Sequence, residues 1–168
     1  MRLRLRQRLR PPATAVVIPV PEAASVVGAG EPGMPPHVTL LWPFARRLRA
    51  GHRRGLDAIA GTHAPFAFTL ARVGTFPGVV YLAPEPAAPF VDLVDAITRT
   101  WPRHQPYGGA YAEVIPHLTV PDGDPAPLEA VLPIRCHARE ILVLSPAGDG
   151  WCEIYRVPLR GSAASTSA

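Results

Sequence analysis

A five-residue phrase occurs twice in this chain: Pro36-His37-Val38-Thr39-Leu40 returns as Pro116-His117-Leu118-Thr119-Val120, 80 residues further on. Each copy reads His, apolar, Thr, apolar. In an extended strand, side chains two apart share a face, so each copy presents an imidazole and a hydroxyl on one side and two apolar groups on the other. The repeat therefore demands two strands, each with one face buried and the other kept polar. The pairing is selective: His52, His63, His104 and His137 have Arg54, Pro65, Pro106 and Arg139 two positions on, never Thr. Pro36 and Pro116 cannot donate to a ladder, which places each His at the start of its strand, near the rim of whatever cleft the strands line.

Two His-Thr pairs facing one cleft make a phosphate site. Imidazole changes charge near neutral pH, so one ring can take a proton while the other gives one. The two hydroxyls can donate to non-bridging phosphate oxygens, where negative charge builds. A metal centre would want His with Cys or carboxylate partners at ligand spacing, and the tetrads pair His with Thr instead. No metal and no cofactor are expected.

Paired His-x-Thr tetrads about half a domain apart resemble the signature of the two-histidine (2H) phosphoesterase superfamily, and specifically its bacterial 2′-5′ RNA ligase-like branch. Leu41-Trp42-Pro43-Phe44, the run Gly74-Thr75-Phe76-Pro77-Gly78-Val79-Val80-Tyr81-Leu82, and Tyr107-Gly108-Gly109 carry the likeness further, over about residues 13 to 160. The resemblance implies an α+β bilobal fold of two pseudo-symmetric antiparallel-sheet lobes, with helices packed outside and a central groove. It also implies metal-independent action on 2′,3′-cyclic phosphate or 2′-5′ linkages, with His37, Thr39, His117 and Thr119 in the catalytic roles. Which His is base and which is acid does not carry over. One departure from the family lies between the first strand and His37. Four Gly or Pro residues fall between Gly28 and Gly33, so a helix begun near Glu22 should end by Val27, leaving the first lobe pared down.

Composition narrows the substrate. All 17 basic residues are Arg, a usage that fits a GC-rich coding sequence before it fits a nucleic-acid surface. Five of them, Arg2 to Arg10, precede Pro11. Without them 12 Arg face 13 Asp and Glu, so the body has no overall basic excess to hold a long duplex. A small nucleotide or an RNA end is the expected partner; DNA is not, and a monomer is. Residues 1–12 read as a disordered leader, residues 13–160 as one domain and residues 161–168 as a flexible tail. Pro11, Pro12, Pro19 and Pro21 interrupt any secretory apolar run, and no stretch is apolar enough to span a membrane. Cys136 and Cys152 have no metal-knuckle spacing, and two scattered thiols fit a reducing cytoplasm.

The expected elements are strands over 14–20, 37–44, 66–73, 79–83 and 117–120, helices over 49–60 and 89–101, and a short helix near 127–131. Residues 134–144 and 151–159 read as a final hairpin pairing Leu144 with Trp151 and Cys152 with Val143. Phe76 and Tyr107, beside Gly and Pro in expected loops, are candidates to stack a base. Tyr81 and Trp42 read as core aromatics. Arg139 could reach a phosphate from the last hairpin. Glu113 and Asp122 flank the second tetrad, either orienting His117 or standing solvated. A non-catalytic nucleotide or RNA-end binding module, and 2′-5′ RNA ligase activity, are the alternatives to hydrolysis.

Overall fold

The structure is a computed structural model and describes residues 13–28, 30–121 and 124–162. The leader expected over residues 1–12, Asp122 and the tail from Ala163 fall outside the described residues. Eight antiparallel strands form one curled sheet in the order β6-β3-β4-β5-β2-β1-β7-β8. They are β1 Ala15–Pro19, β2 His37–Leu41, β3 Phe66–Phe76, β4 Val79–Glu85, β5 Leu118–Val120, β6 Ile134–Ala138, β7 Glu140–Ala147 and β8 Gly150–Pro158. The helices are α1 Ala24–Val27, α2 Ala50–Thr62, α3 Ala88–Thr100 and α4 Pro125–Glu129.

The two tetrads meet at the middle of the sheet, where β2 pairs with β5 through Val38 and Leu118. On one side of that seam lie β1, β7 and β8; on the other lie β4, β3 and β6. Val38, Leu40, Leu118 and Val120 are buried in the main core, so the alternate residues of both tetrads face the other way, into the groove. α2 and α3 cover the buried face. In α3, Phe90, Leu93, Val94 and Ile97 recur at helical spacing and are all buried, and Pro89 occupies the first turn, where its missing N–H costs nothing.

The short β1–β2 connection behaves as its Gly and Pro content dictates: a 3-10 turn over Pro21–Ala23 runs into α1, which ends at Val27. The rest of the connection is clamped onto β8. The Trp151 backbone N–H donates to the Pro32 carbonyl at 2.8 Å, and the Trp151 indole N–H donates to the Glu31 carboxylate at 2.5 Å. A Cβ on Gly33 would fall 1.9 Å from the Trp151 carbonyl oxygen, and one on Gly150 would fall 2.2 Å from that of Pro32. Only glycine at both positions lets the two backbones lie this close.

Four expectations needed correction. The run 134–144 is two strands: the chain leaves β6 at one edge of the sheet, passes Arg139, and re-enters as β7 beside β1. The tight turn at Gly148-Asp149 pairs Ala147 with Gly150, so that Cys152 lies opposite Ser145 and Trp151 opposite Pro146, and a bulge between Val143 and Leu144 shifts the β7–β8 register only beyond them. Cys136 is buried on β6 while Cys152 is exposed on β8, and both are free thiols; burial pushes the Cys136 thiol up to about 11. Finally, β3 runs on through Phe76 and closes on Val79 across Pro77-Gly78 alone, which puts Phe76 in a strand. Pro77 fixes its own φ, and Gly78 takes the positive φ of 75° that the turn needs. β2, by contrast, stops at Leu41, short of Pro43.

Candidate active site

His37 opens β2 and His117 immediately precedes β5. Continuing the Val38–Leu118 register by one residue in each direction sets His37 across from Thr119 and Thr39 across from His117. Each imidazole is therefore opposed by the hydroxyl of the other copy, with directly opposed Cβ atoms about 4.5–5.5 Å apart in such a pair. The four groups form one cluster on the groove face.

The two histidines are held alike. His37 Nδ1 lies 2.8 Å from the Pro35 carbonyl oxygen, and His117 Nδ1 lies 2.7 Å from that of Ile115. A carbonyl can only accept, so Nδ1 must carry the proton and donate in both rings. The neutral rings then hold their lone pair on Nε2, away from the backbone. The partner orienting His117 is thus a carbonyl two residues back, and Glu113 is solvent-exposed.

Their surroundings differ. Burial is the main cause that pushes the His37 imidazole below its ordinary 6.5, with the charge of His117 acting in the same direction; the Pro35 bond and the Glu31 carboxylate oppose it. His117 instead stands among aromatic rings. Phe76 and Tyr81 stack on each other at 4.4 Å and meet His117 edge-on at 5.2 and 5.5 Å. Tyr107 lies nearly parallel to the His117 ring at 6.4 Å and edge-on to exposed Tyr111 at 5.7 Å.

Phe76 and Tyr107, the two aromatic residues expected to stack a base, are therefore both brought to the second tetrad. Tyr81, read from sequence as core, joins them: it pairs with Thr119 on one side and with Gly74 on the other. A Cβ at position 74 would fall 2.3 Å from the Tyr81 ring, so the glycine is what allows the ring to lie flat there. A glycine opposite an aromatic in a hairpin was the sequence signal for this. Trp42 is half-buried with Met34 and Trp151 over a second apolar cluster of Ala15, Val17, Leu142 and Leu144.

Tyr107 is the one non-glycine residue at positive φ among the described residues, at φ 52° and ψ 31°, followed by Gly108 and Gly109 at φ 65° and 77°. This left-handed run is costly for tyrosine. It is held by the Tyr107 N–H, which donates to the Trp42 carbonyl at 2.6 Å. Burial raises the Tyr107 phenol above its ordinary 10, while the Thr39 hydroxyl beside it acts in the opposite direction. Arg139 is not brought to the tetrads by any contact; its guanidinium lies 3.6 Å from Glu22 at the β6–β7 junction. Among the described residues no group of three His, Cys, Asp or Glu side chains is placed to hold a metal ion.

Known structures share this architecture. TT0787 of Thermus thermophilus superposes with a TM-score of 0.61 at 17% identity, covering 89% of this chain and 99% of that one. Escherichia coli LigT complexed with 3′-AMP gives 0.56 at 18% identity, and LigT complexed with ATP gives 0.55 at 20%, each covering 89% of this chain and 99% of LigT. No curated protein sequence matches significantly. The profile of the 2′-5′ RNA ligase superfamily matches residues 23–146, a span that holds both tetrads and all three rings around His117. With that match over most of its length and the LigT-like sheet beneath it, the chain belongs to the 2′-5′ RNA ligase superfamily of two-histidine phosphoesterases.

Proposed function

We propose that the protein is a metal-independent phosphodiesterase that opens 2′,3′-cyclic phosphates, or cleaves 2′-5′ phosphodiester linkages, at nucleotides or RNA ends. The observation that carries this is the matched anchoring of both rings: Nδ1 of His37 and of His117 each donates to a carbonyl two residues earlier, which leaves two basic Nε2 atoms for one phosphate. Water attacks phosphorus as one Nε2 takes its proton. A P–O bond to the ribose breaks, and the other ring, entering as imidazolium, protonates the departing oxygen. Thr39 and Thr119 donate to the non-bridging oxygens as charge builds there, and the products are a phosphomonoester and a free hydroxyl. The crystal structures of LigT with 3′-AMP and with ATP support a ligand of nucleotide size.

The test is hydrolysis of the four 2′,3′-cyclic mononucleotides in chelator, with the product ester identified by phosphorus NMR, for the parent protein beside His37→Ala and His117→Ala. Turnover that survives chelator and disappears in both variants is expected. Binding without turnover of both the cyclic mononucleotide and an RNA ending in a 2′,3′-cyclic phosphate would replace the enzyme reading with a binding module.

A further inference from the structure

Away from the tetrads, the link between β2 and α2 forms one wall of an open cleft of about 740 Å³ lined by Ala45, Arg46, Arg47, Arg49, His52 and His104. None of the lining residues is acidic. Among the described residues, none of the three guanidiniums forms an ion pair with a carboxylate, whereas Arg72, Arg139 and Arg156 each do. The cleft thus concentrates positive charge on a body that has no overall basic excess.

The wall is rigid. The Thr14 N–H and hydroxyl both donate to the Ala45 carbonyl, at 3.0 and 2.8 Å, and the Phe44 N–H donates to the Thr14 carbonyl at 2.9 Å. Phe44 meets Trp101, His52 and His104 edge-on at 5.0 to 5.2 Å, and Leu48 packs against the core. Exposed Arg46 and Arg47 are therefore suspended between two fixed points. The imidazole of His52 accepts the Arg49 N–H on Nδ1 at 3.0 Å, so its Nε2 carries a proton and is a further donor. The start of α2, a 13-residue helix, adds its positive end.

The cleft and the catalytic groove are joined through two short spans. Ala45 lies three residues beyond Trp42, whose carbonyl holds Tyr107; His104 lies three residues before Tyr107 itself. Three residues reach at most about 11 Å, and Tyr107 already lies beside His117.

We infer that this cleft is a second phosphate site, in which Arg46, Arg47, Arg49 and the His52 N–H hold backbone phosphates of an RNA strand whose reacting end occupies the groove between the tetrads. The inference rests on the proposed phosphodiesterase reading and sharpens it: the substrate is the end of a strand several nucleotides long, and a mononucleotide fills only part of the surface. Guanidiniums gripping phosphates give affinity without base preference.

The experiment compares a ten-nucleotide RNA ending in a 2′,3′-cyclic phosphate with a 2′,3′-cyclic mononucleotide. The triple variant Arg46→Ala/Arg47→Ala/Arg49→Ala should raise KM for the RNA at least tenfold with kcat unchanged, and leave both constants for the mononucleotide unchanged. The salt dependence of the RNA KM should flatten by about two logarithmic units per decade, at roughly 0.7 per lost phosphate contact on a single strand. Arg160→Ala, at the opposite end of α2, should do nothing, and the Arg→Lys triple should restore most of the effect. A triple variant that shifts both substrates alike, or neither, would overturn the cleft. Fluorescence anisotropy of a labelled RNA ten-mer with a 3′-phosphate separates this from catalysis. Should the parent turn over neither substrate, the phosphodiesterase reading fails, while weaker RNA binding by the triple variant still upholds the cleft and unchanged binding removes it.

Discussion

The two halves of the sheet carry the same His-x-Thr phrase in different settings. His37 belongs to the half formed by β2, β1, β7 and β8, and its ring is desolvated behind a loop clamped to Trp151. His117 belongs to the half formed by β5, β4, β3 and β6, and is walled by Phe76, Tyr81 and Tyr107. The anchoring of the two rings is the same; the solvent around them is not. Backbone geometry thus supplies the same anchor to both copies, and side chains differentiate them. The first half holds its ring desolvated, and the second sets three aromatic faces beside its ring, which under the proposed reading are surfaces for a base to stack on.

The comparison breaks first at the rings themselves. His37→Ala and His117→Ala should each lower kcat on a cyclic mononucleotide by about 10²- to 10⁴-fold, the range for loss of a general acid or base. A loss confined to one variant would show that only one copy handles protons. Next come the hydroxyls, where Thr39→Ala and Thr119→Ala should each lower kcat by about 10²-fold, as for a lost oxyanion donor; steady-state kinetics on the same substrate reads both. Gly74→Val tests the aromatic wall. The new side chain collides with the Tyr81 ring, so urea unfolding should show a loss of about 1–3 kcal/mol, and turnover should fall with the displacement of Tyr81 from Thr119.

The smallest effect concerns pH. The depressed His37 imidazole should titrate below 6.5 by NMR of its Cε1–H. Because the folded state then binds fewer protons than the unfolded chain, stability is lost as pH falls below 6.5 toward the folded value. His37→Gln should remove that part of the acid sensitivity, measured as the midpoint of urea unfolding between pH 7.5 and 5. An identical pH slope in the two proteins would place His37 in an ordinary, solvated setting.

The tetrads were readable because their information lies in residue type at a spacing of two, which a strand converts directly into one shared face. The helix 88–100 was readable for the same reason at a different period. The anchoring carbonyls of Pro35 and Ile115 were not, since any residue supplies a carbonyl and only the local bend of the chain decides where it points. Tyr81 was misread because an apolar setting and a groove wall look alike along one strand; Gly74, lying across the hairpin, makes the difference. The β6–β7 break at Arg139 leaves no composition signal, because one residue carries the chain from edge to interior. The last hairpin shifted because its turn is the two residues Gly148-Asp149 and not the whole run 145–150.

That passage at Arg139 has a consequence for how the molecule is made. The half containing His117 is drawn from one uninterrupted stretch, residues 66–138, and can pair its strands as they leave the ribosome. The half containing His37 begins with β1 and β2 but must wait for residues 140–158 before β1 has a neighbour on its other side. During that interval β1 is an unpaired apolar edge, and a chain stopped before β7 holds both tetrads yet lacks the strand that braces the first. The brace on the first tetrad arrives only with β7.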